Sequence, residues 1–119
     1  MNDRIEAASI LERNADQIAR RACAQLFEEH SDFDDRFGAT ARQVWTDHLN
    51  QRILELSAAI ASGDNKMFAS SLAWSRTAMR SRSLTAEDLR TSLKSLRTGI
   101  LEAVQGECRE AALSCIDQA

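Results

Sequence analysis

Proline and tyrosine are absent from the 119 residues, and glycine occurs only four times. Few residues therefore interrupt a helix, since proline removes a backbone donor and glycine adds conformational freedom. Valine is almost as scarce, whereas Ala, Leu, Arg, Glu and Ser abound, a helical rather than a strand composition. No apolar run approaches the roughly 20 residues of a membrane span, and no signal-peptide pattern opens the chain. The three cysteines, Cys23, Cys108 and Cys115, form no CxxC pair. An odd count without metal spacing points to reduced thiols in a cytoplasm. Cys108 and Cys115 lie on one helical face about 10 Å apart along the axis, too far to form a disulfide.

Catalytic and metal motifs are missing as well. His30 and His48 are the only histidines, which excludes a di-iron bundle built on two ExxH motifs. HExxH, the EF-hand loop and the GxSxG elbow are also absent. The expectation is a protein that is no enzyme and carries no metal or cofactor.

What remains is a soluble-type composition. Charged residues make up 28% and hydrophobic ones 44%, which suits one folded domain over residues 1–119. The net charge of −3 divides into −5 over residues 1–65 and +2 over residues 66–119. Neither value is large enough to favour a nucleic acid or a membrane surface as partner.

Hydrophobic spacing predicts four main helices. Helix A covers about residues 2–29, with Ile5, Ala8, Leu11, Ala15, Ile18, Ala22 and Leu26 as its seam. Phe33 and Phe37 follow in an acidic, turn-prone segment, where they should plug the end of the core. Helix B fits residues 40–61 with Trp45, Leu49, Ile53, Leu56 and Ile60 on one face. Gly63, inside Ser62-Gly63-Asp64-Asn65, supplies the positive φ that ends it. Helix C spans about residues 66–80 with Phe68, Leu72, Ser75 and Met79. Thr85, with Asp88 three residues on, is an N-cap signal for helix D. That helix carries Leu89, Leu93, Leu96, Ile100, Ala103 or Val104, Ala111 and Cys115, and reads as one element to Ile116, bent near Gly106.

Short turns make successive helices antiparallel, so the fold class is all-α, an up-down bundle, globin-like in layout, with long first and last helices. The far ends of A and D should project as a pair beyond helix C. Their apolar residues Ile5, Ala8, Leu11, Ala111 and Cys115 then need a cover, which a second copy would provide in a homodimer.

One surface stands out for binding. Trp74, Arg76, Met79, Arg80 and Arg82 combine an aromatic, a soft thioether and three guanidiniums near a helix end, and Trp45 and His48 lie on the preceding helix. Each tryptophan reads either as core or as the wall of a ligand pocket or docking face. A helix, turn and second helix here resemble a helix-turn-helix superficially, but the second helix is too long and the remainder of the chain is acidic.

The order His48-Leu49, Leu54, Ala58-Ala59-Ile60, Gly63-Asp64, Met67-Phe68, Trp74, Met79, Arg82-Ser83-Leu84, Asp88-Leu89, Leu93 and Leu96 resembles the helical domain that precedes the cobalamin-binding domain in bacterial sensory regulators. It is similar also to the globin-like, haem-free N-terminal sensor domains of RsbR-type stressosome proteins. The resemblance covers about residues 37–101. It implies a cytoplasmic bacterial signal-transduction module, dimeric, that passes a ligand or partner signal through helix repacking to an output partner or downstream domain. A small-molecule ligand is compatible with it. The cobalamin family's DxHxxG motif is missing, so no cobalamin contact transfers to this chain. The alternative is a dimerisation or scaffold module that binds another protein and no ligand.

Overall fold

The structure, a computed structural model, describes residues 3–80 and 85–119; the side chains at 76, 78, 79 and 80 lie outside that description. Seven helices order the described residues: α1 (Asp3–Arg13), α2 (Ala15–Glu29), α3 (Asp32–Phe37), α4 (Ala41–Ser62), α5 (Asn65–Arg80), α6 (Ala86–Ala103) and α7 (Gly106–Asp117). The all-α expectation holds.

Helix α4 is the organising element. It packs against α1, α2, α3, α5 and α7, while α2 lies along α6. Its predicted seam is buried throughout, from Trp45 at 2% exposure through Leu49, Ile53 and Leu56 to Ile60. At 22 residues it is about 33 Å long, enough to run back along both α2 and α1.

That length corrects the projecting stalk. Helix α4 ends beside Arg4, whose guanidinium lies where a Cβ on Gly63 would sit. The start of helix A is therefore covered within the chain. Leu11 and Cys115 are fully buried and Ala8 nearly so, all in the protein's own core. Ala111 is half-buried, and only Ile5 of the five residues assigned to a dimer contact is well exposed, at 51%. Comparing helix D with helix C alone left out the reach of helix B.

Helix A proves to be two segments joined by a shallow bend. Asn14 has φ −102 and ψ 6, and its side-chain amide donates to the Ile10 carbonyl at 2.7 Å. Yet the Ile18 N–H still donates to the Asn14 carbonyl at 2.9 Å, so the helical ladder survives.

Helix D, by contrast, breaks. Val104 and Gln105 are extended, and Gly106 takes φ 67. The helix is interrupted here rather than bent. The Arg109 guanidinium closes the open end of α6, donating from Nε to the Val104 carbonyl at 2.9 Å and from its terminal nitrogen to the Leu101 carbonyl. Helix α7 then crosses the bundle. Its first turn meets α1, where the Cys108 thiol donates to the Ala7 carbonyl at 3.3 Å. Its last turn meets the α4–α5 junction, where the Asn65 amide donates to the Gln118 side chain at 3.0 Å, and Asp117 takes two bonds from Arg97 of α6 at 3.1 and 3.2 Å.

The helix boundaries follow local chemistry. Gly63, at φ 69, donates to the Ile60 carbonyl and Asp64 to the Ala59 carbonyl, both at 3.1 Å, the paired closure that a left-handed residue permits. Thr85 caps α6 in a full capping box: its hydroxyl accepts from the Asp88 N–H and its own N–H donates to the Asp88 carboxylate, each at 3.0 Å.

Candidate functional site

Three places in the fold bear on function: an aromatic cluster, a groove at Trp74, and the thiols. The aromatic cluster closes the α2–α3–α4 end. Phe33 is 2% exposed and stands with its ring centroid 5.8 Å from Phe27, 5.3 Å from Phe37 and 5.3 Å from Trp45. His30 and His48 flank it, His30 at 5.8 Å from Phe33 and His48 at 5.6 Å from Trp45. Trp45 is thus core packing, and no ligand reaches it without opening the bundle.

Arg36 seals this end. Its guanidinium lies 4.8 Å from the Phe37 centroid and 5.4 Å from that of Phe33, within cation–π range. It also donates two bonds to the Asp88 carboxylate at 2.9 and 2.7 Å, joining α3 to the first turn of α6. Burial alone would raise the Asp88 carboxyl, but the Arg36 bonds and those from Thr85 outweigh it and hold the group below its ordinary range. Asp88 therefore both completes the capping box of α6 and ties that helix to the cluster. Sequence spacing announces the cap and carries no signal for a partner 52 residues away.

The groove lies between α4 and α5. Trp74 is 73% exposed and walls an open cavity of about 320 Å³ with Gln51, Arg52, Glu55, Ser71 and Ser75. Arg52 is an arginine on the buried face of α4, 5% exposed. It donates to Glu55 at 2.7 Å and to the Ser75 hydroxyl, which pins α5 onto α4. Two further polar atoms of this pair, Arg52 Nε and Glu55 Oε1, are buried without a hydrogen-bond partner. Buried donors and acceptors are normally satisfied, so these two atoms carry a desolvation cost within the α4–α5 contact.

Of the predicted binding surface, the structure places Trp74 on the groove and separates it from Trp45. Arg76, Met79 and Arg80 stand on α5, their side chains outside the description, and Arg82 lies outside the described residues. Arg52 and Glu55 went unread in the sequence. Their signal was present, since two opposite charges at i and i+3 flank Ile53 and Leu56 of the apolar seam.

All three thiols are closed in. Cys23, Cys108 and Cys115 are 5%, 4% and 0% exposed and unpaired. Burial pushes each upward, Cys115 to about 11; for Cys23 a bond with Thr46 and the nearby Arg42 offset part of the rise. The Cys23 thiol donates to the Arg42 carbonyl at 3.4 Å. Since thiolate is the nucleophile, these are packing groups at neutral pH. Among the described residues no cluster of three or more His, Cys, Asp or Glu is arranged to hold a metal, and no helix is long and apolar enough to cross a membrane.

With this geometry in view, comparison with known proteins is decisive. The family profile described as "Phycobilisome protein" matches residues 1–119. The chain belongs to the phycobilisome protein family. No curated protein and no solved structure matches it. Membership overturns the resemblance to bacterial sensor domains and, with it, both the signalling reading and the scaffold alternative: the family points to light harvesting, and no regulatory output partner is supported. The earlier resemblance rested on apolar spacing and turn residues, which any antiparallel helical domain of this size requires.

The family implies a pigment, and its name indicates a bilin, an open-chain tetrapyrrole bearing two carboxylates. Covalent attachment through sulfur needs a reachable thiol beside a cleft. Cys115 offers no exposed surface. Cys108 borders a cavity of about 240 Å³ that Asp3, Glu6 and Glu107 also line, an acidic rim that repels carboxylates. The thiols of this chain do not fit a thioether-linked pigment.

Proposed function

We propose that the protein is a light-harvesting, pigment-binding subunit of a phycobilisome-type assembly. The single observation behind this reading is the family match across residues 1–119, which falls on a fold whose described elements are all helices. The role is non-catalytic: the protein positions a chromophore and passes excitation on. A soluble, cytoplasmic setting accords with the helices, none of those described being a membrane span.

Assembly with further copies or other family members belongs to the same proposal. Its contacts would come from exposed apolar side chains such as Ile5, Val44, Leu54 and Met67, and not from Leu11 or Cys115, which the chain has already buried.

The test is co-expression with enzymes that make biliverdin and its reduced bilins, followed by size-exclusion chromatography with visible detection. The expected result is a visible absorption band eluting with the protein. A colourless protein from cells shown to contain free bilin would defeat the reading.

A further inference from the structure

We propose that the solvent-facing stripe of α5, centred on Met67 and Trp74, is the contact through which two copies of this chain form a twofold dimer. This rests on the assembly part of the reading above and names its surface. Trp74 is 73% exposed and Met67 39%, and a large aromatic and a thioether side by side in water mark an interaction face. They stand seven residues apart on α5, two helical turns or about 10 Å along one face. Ser70, exposed, and Ser71, half-buried, lie between them on that face. Residues 67–75 contain no charged residue. The helices α1, α2, α6 and α7, by contrast, turn exposed charges such as Glu6, Arg20, Lys94 and Glu110 to water.

Charge decides what can cover such a stripe. A lysine or carboxylate brought against it would be desolvated with no partner, so the covering surface must itself be neutral. A second copy offers that surface. Laid antiparallel, the two α5 helices set Met67 of each copy against Trp74 of the other, so both sulfur–aromatic contacts form at once. The serines fall at the centre, where small side chains let the helices approach. Lys66 is one residue, and so more than a quarter-turn, away from Met67, and keeps its charge in water. At the stripe's edge Glu55 is already paired with Arg52 at 2.7 Å, so the copies bring no unpaired charges together there. The twofold operator covers both stripes in one closed contact. Size sets its strength. An aromatic buries about 150–250 Å² when covered, so a contact built on two indoles and two thioethers lies at the small end of specific interfaces, below about 1,200 Å² in total. The dimer is therefore reversible, in balance with its monomer in the micromolar range.

The experiment is sedimentation velocity on the full chain over a concentration series from the low micromolar to the millimolar range. The expected result is a reversible rise from one copy to two. Trp74→Ala removes two indoles per dimer and should raise the dissociation constant at least about thirtyfold, the scale of a lost interface hot spot. Trp74→Phe should restore part of the affinity, and Met67→Ala should weaken it less. Ser70→Cys, placed beside the twofold axis, should yield an intermolecular disulfide on mild oxidation, since the native thiols are buried. Ser9→Cys, on the exposed side of α1, should not. A chain that stays monomeric at the highest concentration would overturn the inference and leave pigment binding standing. A dimer that Trp74→Ala leaves unchanged, or that crosslinks equally through Ser9→Cys, would overturn the surface and keep the assembly. A colourless protein that still dimerises through Trp74 would defeat the light-harvesting reading and support this contact. Because Trp74 is exposed, its variants keep the fold, which an unchanged far-ultraviolet spectrum verifies.

Discussion

The two tryptophans of this protein occupy opposite situations on neighbouring helices. Trp45 is 2% exposed, locked among Phe33, Phe37 and His48. Trp74 is 73% exposed, beside a polar groove. The same side chain thus serves the core at the α2–α3–α4 end and faces solvent on the α4–α5 side. The difference lies in what surrounds each: at Trp45 three helices converge, whereas α5 packs mainly on α4 and touches α7 more lightly. A helix with one principal neighbour leaves its outer face to water.

Substitution at the buried site should break this contrast most severely. Trp45→Ala removes a fully enclosed ring and should cost about 3–5 kcal/mol, read as a lower denaturant midpoint with the slope unchanged. A loss under about 1 kcal/mol would mean that the aromatic cluster tolerates a void.

Alkaline pH comes next. The Cys115 thiol is raised to about 11 from 9.0, so above pH 9 the unfolded chain gives up its proton while the folded one retains it. Stability therefore falls between those values, by on the order of 2–3 kcal/mol. Thermal unfolding across that range should show the decline, and Cys115→Ala should remove much of it.

Asp88 sharpens the comparison from the side of the cluster. Asp88→Ala removes the carboxylate half of the α6 capping box and the clasp on Arg36 together, and should destabilise by about 2–3 kcal/mol. In the wild type the carboxyl is depressed. Its contribution is complete above the ordinary carboxylate range and disappears as pH falls through the lowered folded value. The acid limb of a stability–pH curve should be shallower in the variant.

At the α4–α5 turn, Gly63→Ala combines a left-handed backbone with a clash against Arg4. A loss of about 1–2 kcal/mol is expected, measured by urea unfolding. The smallest effect belongs to Trp74→Ala, which should alter stability by less than about 0.5 kcal/mol, as surface substitutions usually do. A larger loss would show that the indole contributes to packing despite its exposure.

Much of this protein could be read from residue order alone. Absence of proline, sparse glycine and apolar spacing of three and four dictate helices, because those choices act within a few residues of the chain. The seam of α4, the Gly63 stop and the Thr85 cap are local signals of that kind, and all three are realised. Tertiary structure alone decided the remainder. The clasp of Arg36 on Asp88, the cover that α4 gives to α1, and the return of α7 after Gly106 each join residues far apart in sequence, and no periodicity encodes which distant face will meet which. The two tryptophans stand between these cases: the register puts Trp45 on the apolar seam of its helix and Trp74 off it, while the convergence of three helices closed the first and the single principal neighbour of α5 left the second in water.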